Sequence, residues 1–452
     1  MPFEINKESI ELLKELIEKE SKSEVIKLMD DLHPADIAEL MDDLTIEEAK
    51  FIYLLLDNEK ASDVLVEIPE NDRKRLLKVL PPTFIASKFI EHMDSDDAAD
   101  VVAELDDEVQ KEVLNEIEDV EQAGDIVDLL EYEEDSAGGI MAKELVVVNE
   151  NWTVATCLKA ISAQAEEVDE IYYIYVVDDD EKLKGVLSLK KLILNRTSTK
   201  ISNIYNADVK SVTTDTRQEE VAEIMDKYDL VAIPVVDDIG RLKGRITIDD
   251  VIDIVREEAE KDYQMVSGIT GDVEPGDRVF EVLRARFPWL LIGLLGGILG
   301  AVVLSSHEDS LKTVTELAFF IPLIAAMGGN VGVQSSSIVV QSIASGVKDL
   351  ESTSRKLFKE VSVALLTASI FATLIFIYNF FSQANMNLTY SVSLSLFIVI
   401  LFASLFGTII PLLLNRFKID PALATGPFIT TMNDILGLLI YLAVGKMFFE
   451  IL

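Results

Sequence analysis

The chain has 452 residues, of which 49% are hydrophobic and 27% charged, and a formal net charge of −40. That length exceeds one ordinary core, and that mixture does not suit a single solvent environment. The acidity excludes a partner held through nucleic-acid phosphates, and the single cysteine, Cys157, excludes both a disulfide framework and a thiolate metal site.

The charge is unevenly placed. From Trp289 onward there are 8 Lys/Arg and 9 Asp/Glu, out of 40 and 80 in the whole chain. Nearly all the negative charge therefore precedes Trp289, and an acidic soluble part is followed by an apolar part. The acidic part should attract cations. The opening stretch, MPFEINKESIELLKELIEKE, is a charged helical pattern without the apolar core of a secretory signal.

Residues 4–130 read as short helices. Leu12, Leu13, Leu16 and Ile17 recur at helical spacing, as do Ile37, Leu40, Met41 and Leu44. LHPAD, EIPEND and LPPTF punctuate them. PADIAELMDDL and SDDAADVVAEL are loosely alike, which suggests stacked helical hairpins forming a small all-α superhelix.

Residues 140–260 hold a stronger repeat. IYVVDDDEKLKGVLSLKKLI, from Ile174, matches IPVVDDIGRLKGRITIDDVI, from Ile233, at an offset of 59 residues without a gap. Each unit reads helix, strand, acidic turn, strand, helix. Neither unit alone buries both faces of its small sheet, so the two should pack as a pair. The pair resembles a tandem CBS (cystathionine-β-synthase) module, which implies an α/β regulatory domain that senses adenine nucleotides or ions. The nucleotide motif of that family, a Ser/Thr followed three residues later by Asp, is kept in the second unit as Thr247 and Asp250. The first unit has Ser188 but Lys191. ATP at the pair is therefore a candidate ligand through the second unit.

The second unit ends in TIDDVIDIVREEAEKD, which puts Asp250, Asp253, Glu257 and Glu260 at steps of 3, 4 and 3 on one side of a helix. Like charges at that spacing destabilise a helix by roughly 0.2–0.5 kcal/mol per pair. A divalent cation among them removes the repulsion, and oxygen ligands without His or Cys favour Mg²⁺ or Ca²⁺. The alternative reading is a solvated acidic face.

Five stretches are long and apolar enough to cross a bilayer: 287–306, 317–343, 361–381, 392–414 and 422–447. Lys348, Arg355, Lys356 and Lys359 lie in one connecting loop, and Arg416 and Lys418 in another. The opposite loops hold one Lys between them. This bias places a multi-pass protein in a cell membrane, with its N-terminus in the cytoplasm and its C-terminus outside.

Within FITTMNDILGLLIYLAV, residues 428–444, Asp434 is the one carboxylate. A carboxylate near mid-bilayer costs about 2.5–3.5 kcal/mol on insertion scales and normally faces a bundle interior or a water path. Thr430 and Thr431 precede it by one turn and are expected to share its side. The second stretch offers a polar stripe, Asn330, Gln334, Ser337 and Gln341, beside Gly328, Gly329 and Gly332. Carbonyls and amides there can meet an ion where they line a cavity. The alternative is that these small and polar residues glue helices together.

An acidic helical domain, a CBS pair, a connecting helix and five spans resemble the MgtE magnesium transporter family over essentially the whole chain. The most specific stretches are MGGNVGVQSS, DPALATGPFITTMND and DSAGGIMAKE. The resemblance implies a multi-domain fold: an acidic helical N-domain over 1–135, the CBS pair over 136–260, a connecting plug helix over 261–286 and a five-helix transmembrane domain over 287–452. It implies a homodimer in the lipid bilayer that conducts Mg²⁺ inward, with no obligatory further protein partner. Asp434 would hold the ion, with Asn330, Thr430, Thr431, Gly328, Gly329 and Gln334 around it. Regulatory Mg²⁺ would bind among Asp96, Asp97, Asp250, Asp253, Glu257, Glu258 and Asp420 and close the pore. Two other readings stand beside this one. They are a transporter of Co²⁺ or Mn²⁺ under the same gate, and a membrane-anchored Mg²⁺ sensor that conducts nothing. Three His, one Cys and no phosphate-cradling loop argue against an enzyme.

Overall fold

The computed structural model describes residues 7–164, 168, 171–271, 273, 278–344, 353–382, 384–424 and 426–450. The chain divides into two units, Met1–Arg256 and Glu257–Leu452.

The first unit begins with ten α-helices between Lys7 and Leu129. Their starts follow local chemistry. Thr45 and Glu48 form a reciprocal capping box, Asp57 accepts from the Lys60 N–H, and Pro34 and Pro82 occupy first-turn positions where no donor is lost. The helices share a core that includes Leu13, Ile37, Leu40, Ile52, Tyr53, Leu65 and Phe89. Tyr53 meets Phe89 edge to face at 5.3 Å. Arg73 Nε donates to both oxygens of Glu104, at 3.0 and 3.1 Å, so this largely buried cation is already matched.

Two small sheets follow. The first is β1 (Val146–Asn149), β2 (Ile174–Val177) and β3 (Leu183–Leu187), and the second is β4 (Val212–Thr213), β5 (Ala232–Val236) and β6 (Leu242–Thr247). In both, a parallel pair is followed by an antiparallel pair. The 59-residue repeat survives down to register. Val176 faces Gly185, and Val235 faces Gly244, with an irregularity after Val176 and after Val235. The two glycines are required by close backbone. A Cβ on Gly185 would overlap the Asn206 carbonyl, and one on Gly244 would sit 2.6 Å from the Ala142 carbonyl. Ala142 and Arg245 exchange both backbone hydrogen bonds, at 2.8 and 2.9 Å. The DSAGGIMAKE stretch therefore pairs with the second sheet, not with the first, which it immediately precedes.

The helix Ile248–Val266 runs past the expected 260/261 boundary. Gly268 and Gly271 then take positive φ, and the next helix, Val279–Ser306, already contains the first span. Within the connecting segment 261–286, these glycines turn the chain between two helices. Residues 272 and 274–277 of the GDVEPGD stretch lie outside the described residues, as do 345–352 of the basic loop.

Five helices in the second unit are long and apolar enough to cross a membrane: Val279–Ser306, Glu316–Ile343, Leu357–Phe381, Met386–Arg416 and Gly426–Phe449. They are called the first to fifth spans below. Lipid supplies no hydrophobic drive between helices, so close packing has to hold them. Glycines provide it. Gly332 on the second span admits the Asn433 amide of the fifth, and Gly407 on the fourth lies against the Gly332 carbonyl. Gly296 on the first span admits the Thr431 methyl.

Ala is the better helix former by about 1 kcal/mol, so a Gly→Ala change that meets nothing should not weaken a helix. Gly407→Ala is expected to lower the melting midpoint of the detergent-purified protein, with overpacking costing about 1–3 kcal/mol because its neighbour is backbone. Gly293→Ala meets nothing within 4 Å and should leave the midpoint unchanged or higher. Equal midpoints for the two variants would refute this account of the glycine seam.

Candidate functional site

The chemistry gathers in three places. The first lies at the start of the helix Ser95–Ala103. Asp94 occupies the N-cap but makes no cap bond with its side chain. Glu144 takes that role instead, accepting from the Ser95 N–H at 3.2 Å and from the Ser95 hydroxyl at 2.8 Å. The Ser95 hydroxyl oxygen in turn accepts from the Lys143 N–H at 2.9 Å. This clamp draws Asp94, Asp96 and Glu144 together, with one carboxylate oxygen from each within 4.8 Å of the others.

Asp97 and Asp250 crowd the same site. Burial, and then the charges of Asp97, Asp250 and Asp94, hold Asp96 well above the usual carboxylate range. Burial and the charges of Asp250, Asp100 and Asp94 push Asp97 up to about 7, with Arg73 acting weakly against them. Burial raises Asp250 too, although the Thr247 N–H and hydroxyl both donate to its Oδ2 at 2.8 Å. Oxygen ligands of this kind, without His or Cys, suit a hard divalent cation. Thr247 and Asp250 meet at this helix start, and Asp250 serves the acidic cluster and the helix start together.

The second place lies in the other unit. Burial, then the charges of Asp420 and Glu258, raise Asp262. Glu258 also pairs with Lys261 at 3.1 Å, an exposed contact of little energetic weight. Asp253 and Glu257 are exposed on the same helix.

The third place is in the spans. Asp434 Oδ1 would stand 3.5 Å from a Cβ on Gly329, and the Thr430 methyl 3.1 Å from it, so both flank that glycine. The Thr430 hydroxyl donates back to the Gly426 carbonyl at 2.9 Å. Thr431 lies elsewhere on the helix. One residue on, it is rotated away by helical geometry and packs into the first span at Gly296. Gly328 lies against Val399 and the Asn433 carbonyl. Asn330, Gln334 and Gln341 are exposed and Ser337 is half-buried, so the polar stripe is left largely uncovered.

Several residues escaped the sequence reading. Asp94 and Glu144 belong to the first place, Asp262 to the second. Asn433, 1% exposed with neither amide atom partnered among the described residues, stands beside Asp434. The DSDD run carried a signal for Asp94. Glu144 carried none, because its partner Ser95 is 49 residues away.

The comparisons with known proteins agree with one another. Family models match at residues 32–135 (MgtE intracellular N domain), 137–196 and 201–257 (CBS domain), and 321–444 (divalent cation transporter). The magnesium transporter MgtE of Thermus thermophilus is 35% identical over 447 residues, covering 97% of this chain and 98% of its own. The chain belongs to the MgtE family of magnesium transporters. The Bacillus subtilis MgtE is 33% identical over 88% of this chain and 96% of its own. A solved structure of the cytosolic domain of the Mg²⁺ channel MgtE in complex with ATP is 37% identical, with a TM-score of 0.51, covering 54% of this chain and 98% of that one.

The raised carboxyls set a pH dependence. In the folded state without cation, Asp97 holds its proton up to about pH 7, whereas the unfolded chain releases it near 3.8. The stabilising contribution is thus full below about pH 4 and is lost as pH rises through about 7. Without divalent cations, residues 1–265 should melt at falling temperature from pH 5 to pH 8, and saturating Mg²⁺ should remove the fall. A midpoint insensitive to Mg²⁺ at pH 8 would show that the cluster binds no cation.

Proposed function

We propose that this protein is a Mg²⁺-selective channel that mediates magnesium uptake and is closed by cytosolic Mg²⁺. The observation that carries the reading is the placement of Asp434, an intramembrane carboxylate set against Gly329 on a span whose polar stripe is uncovered. Mg²⁺ dehydrates reluctantly, so one carboxylate per subunit, with amides and carbonyls nearby, suits an ion held through its water shell. The uncovered stripe supports a homodimer in the bilayer, with Asn330 and Gln334 of both copies facing one axis beside the two Asp434 side chains. Two such carboxylates repel unless a cation lies between them. Gly328 and Gly329 serve by letting the fifth span approach. The resemblance assigned Thr431 to the ion, but its packing supports a structural role.

Closure requires a ligand that favours the closed state. The cluster of Asp94, Asp96, Asp97, Glu144 and Asp250 repels itself without a cation and gains order with one. Glu258, Asp262 and Asp420 form a second candidate for the same task, and the helix of Glu258 and Asp262 also carries the exposed Asp253 and Glu257. The N-domain (1–135), CBS pair (136–260) and connecting segment (261–286) would carry the signal to the spans (287–452). The ATP complex of the related cytosolic domain supports nucleotide binding at Thr247 and Asp250. Relatives named as transporters support transport and not catalysis. On this reading the N-terminus is cytoplasmic and the C-terminus lies outside.

The test is Mg²⁺ flux into dye-loaded liposomes holding purified protein, starting from a Mg²⁺-free interior. Wild type should conduct, and Asp434→Asn should lose about tenfold or more, equivalent to about 1.4 kcal/mol. Flux of Co²⁺ or Mn²⁺ in preference to Mg²⁺ would favour the other-cation reading, and no flux at all would favour the sensor. Separately, Asp97→Asn with Asp250→Asn should leave flux running at a cytosolic-side Mg²⁺ concentration that shuts wild type. Unchanged inhibition would place the sensor elsewhere.

A further inference from the structure

Glu360 is a second carboxylate in the span region, on the first turn of the third span, and it takes no part in the sites above. Its Oε1 accepts from the Ser335 hydroxyl of the second span at 2.7 Å and from the Ser404 hydroxyl of the fourth at 2.7 Å. The two serine oxygens stand 3.0 Å apart. Ser335 is 5% exposed and Ser404 2%. Each serine has one hydroxyl hydrogen, and the carboxylate takes both. Their close approach to each other is therefore organised by Glu360, which joins three spans at one oxygen.

The position of Ser335 gives this junction its consequence. Gly329, Gly332 and Ser335 follow at steps of three along one face of the second span. Gly329 meets Asp434 and Gly332 meets Asn433 and Gly407. Ser335 ends the row about 9 Å beyond Gly329. Glycine contacts let helices approach but give little to fix rotation, because a glycine presents no side chain. The Ser335–Glu360–Ser404 junction is directional. Gln334 is turned about 100° from Ser335, so holding Ser335 inward holds Gln334 outward.

We propose that Glu360 is a positioning residue for ion passage: it fixes the rotation of the second span, and so the facing of Asn330 and Gln334, through Ser335. The proposal rests on the reading of that stripe and Asp434 as the ion path. The required property is an acceptor oxygen at this place. A Gln side chain retains one, whereas Ala does not.

The test combines labelling and flux in full-length protein. In a Cys157→Ser background, Gln334→Cys reports the facing of the second span through its rate of reaction with a water-soluble maleimide. Adding Glu360→Ala should change that rate several-fold, adding Glu360→Gln should restore it, and Ser404→Ala, a smaller change, should shift it in the same direction as Glu360→Ala. In the otherwise unsubstituted protein, Glu360→Ala should also lower the ratio of Mg²⁺ to Ca²⁺ flux, with Glu360→Gln close to wild type. An unchanged labelling rate in both Glu360→Ala and Ser404→Ala would overturn the proposal. So would Glu360→Gln as impaired as Glu360→Ala with Ser404→Ala silent, since the charge would then act directly. No flux in wild type, with the labelling shift intact, would overturn the role in ion passage together with the transport reading and leave only the packing junction.

Discussion

Carboxylates crowded together away from water are the constraint on which this protein turns. Ionised oxygen removed from water is costly unless it is paired or hydrogen-bonded. At the start of the helix Ser95–Ala103, Asp94, Asp96 and Glu144 come together with the charges of Asp97 and Asp250 acting on Asp96, and Arg73, which acts on Asp97, is already bound to Glu104. The cost appears as raised carboxyl affinities for protons. A divalent cation competes for the same oxygens, so the arrangement is poised between a protonated, a repelled and a metal-bound state. That poise is what a cation sensor requires.

The membrane unit solves a different problem with the same element. Asp434 and Glu360 are both span carboxylates, yet their surroundings differ. Glu360 is given two hydroxyl donors and becomes part of the packing. Asp434 is set against a glycine, which offers no side-chain donor. One carboxylate is satisfied by its own chain, and the other, among the described residues, is left for something outside it. On the proposed function, that something is the transported ion.

Much of this was legible in the residues. The 59-residue repeat appears in the structure as two sheets with matching register, because alternation along a strand and a glycine at a close backbone contact both leave local marks. The five spans were legible because bilayer thickness sets a minimum apolar length. The connecting segment was legible only in part. Glycines such as Gly268 and Gly271 mark a break in any helix, but which helix each flank joins leaves no local mark. Thr431 packs its methyl at Gly296, a contact that a spacing of three along one helix does not reveal. Glu144 and Glu360 were invisible, since their partners lie 49 residues away in one case and 25 and 44 in the other.

The amino-acid sequence by itself determined the division into acidic and apolar parts, the CBS pair, the spans and the hard-oxygen chemistry. Each follows from composition or short-range periodicity, which the chain carries wherever it folds. Only the tertiary structure decided which carboxylates meet, which are satisfied and which are not. Those outcomes depend on distances between residues far apart in the chain. Burial converts those distances into proton affinity, cation affinity or packing, and no local pattern records it.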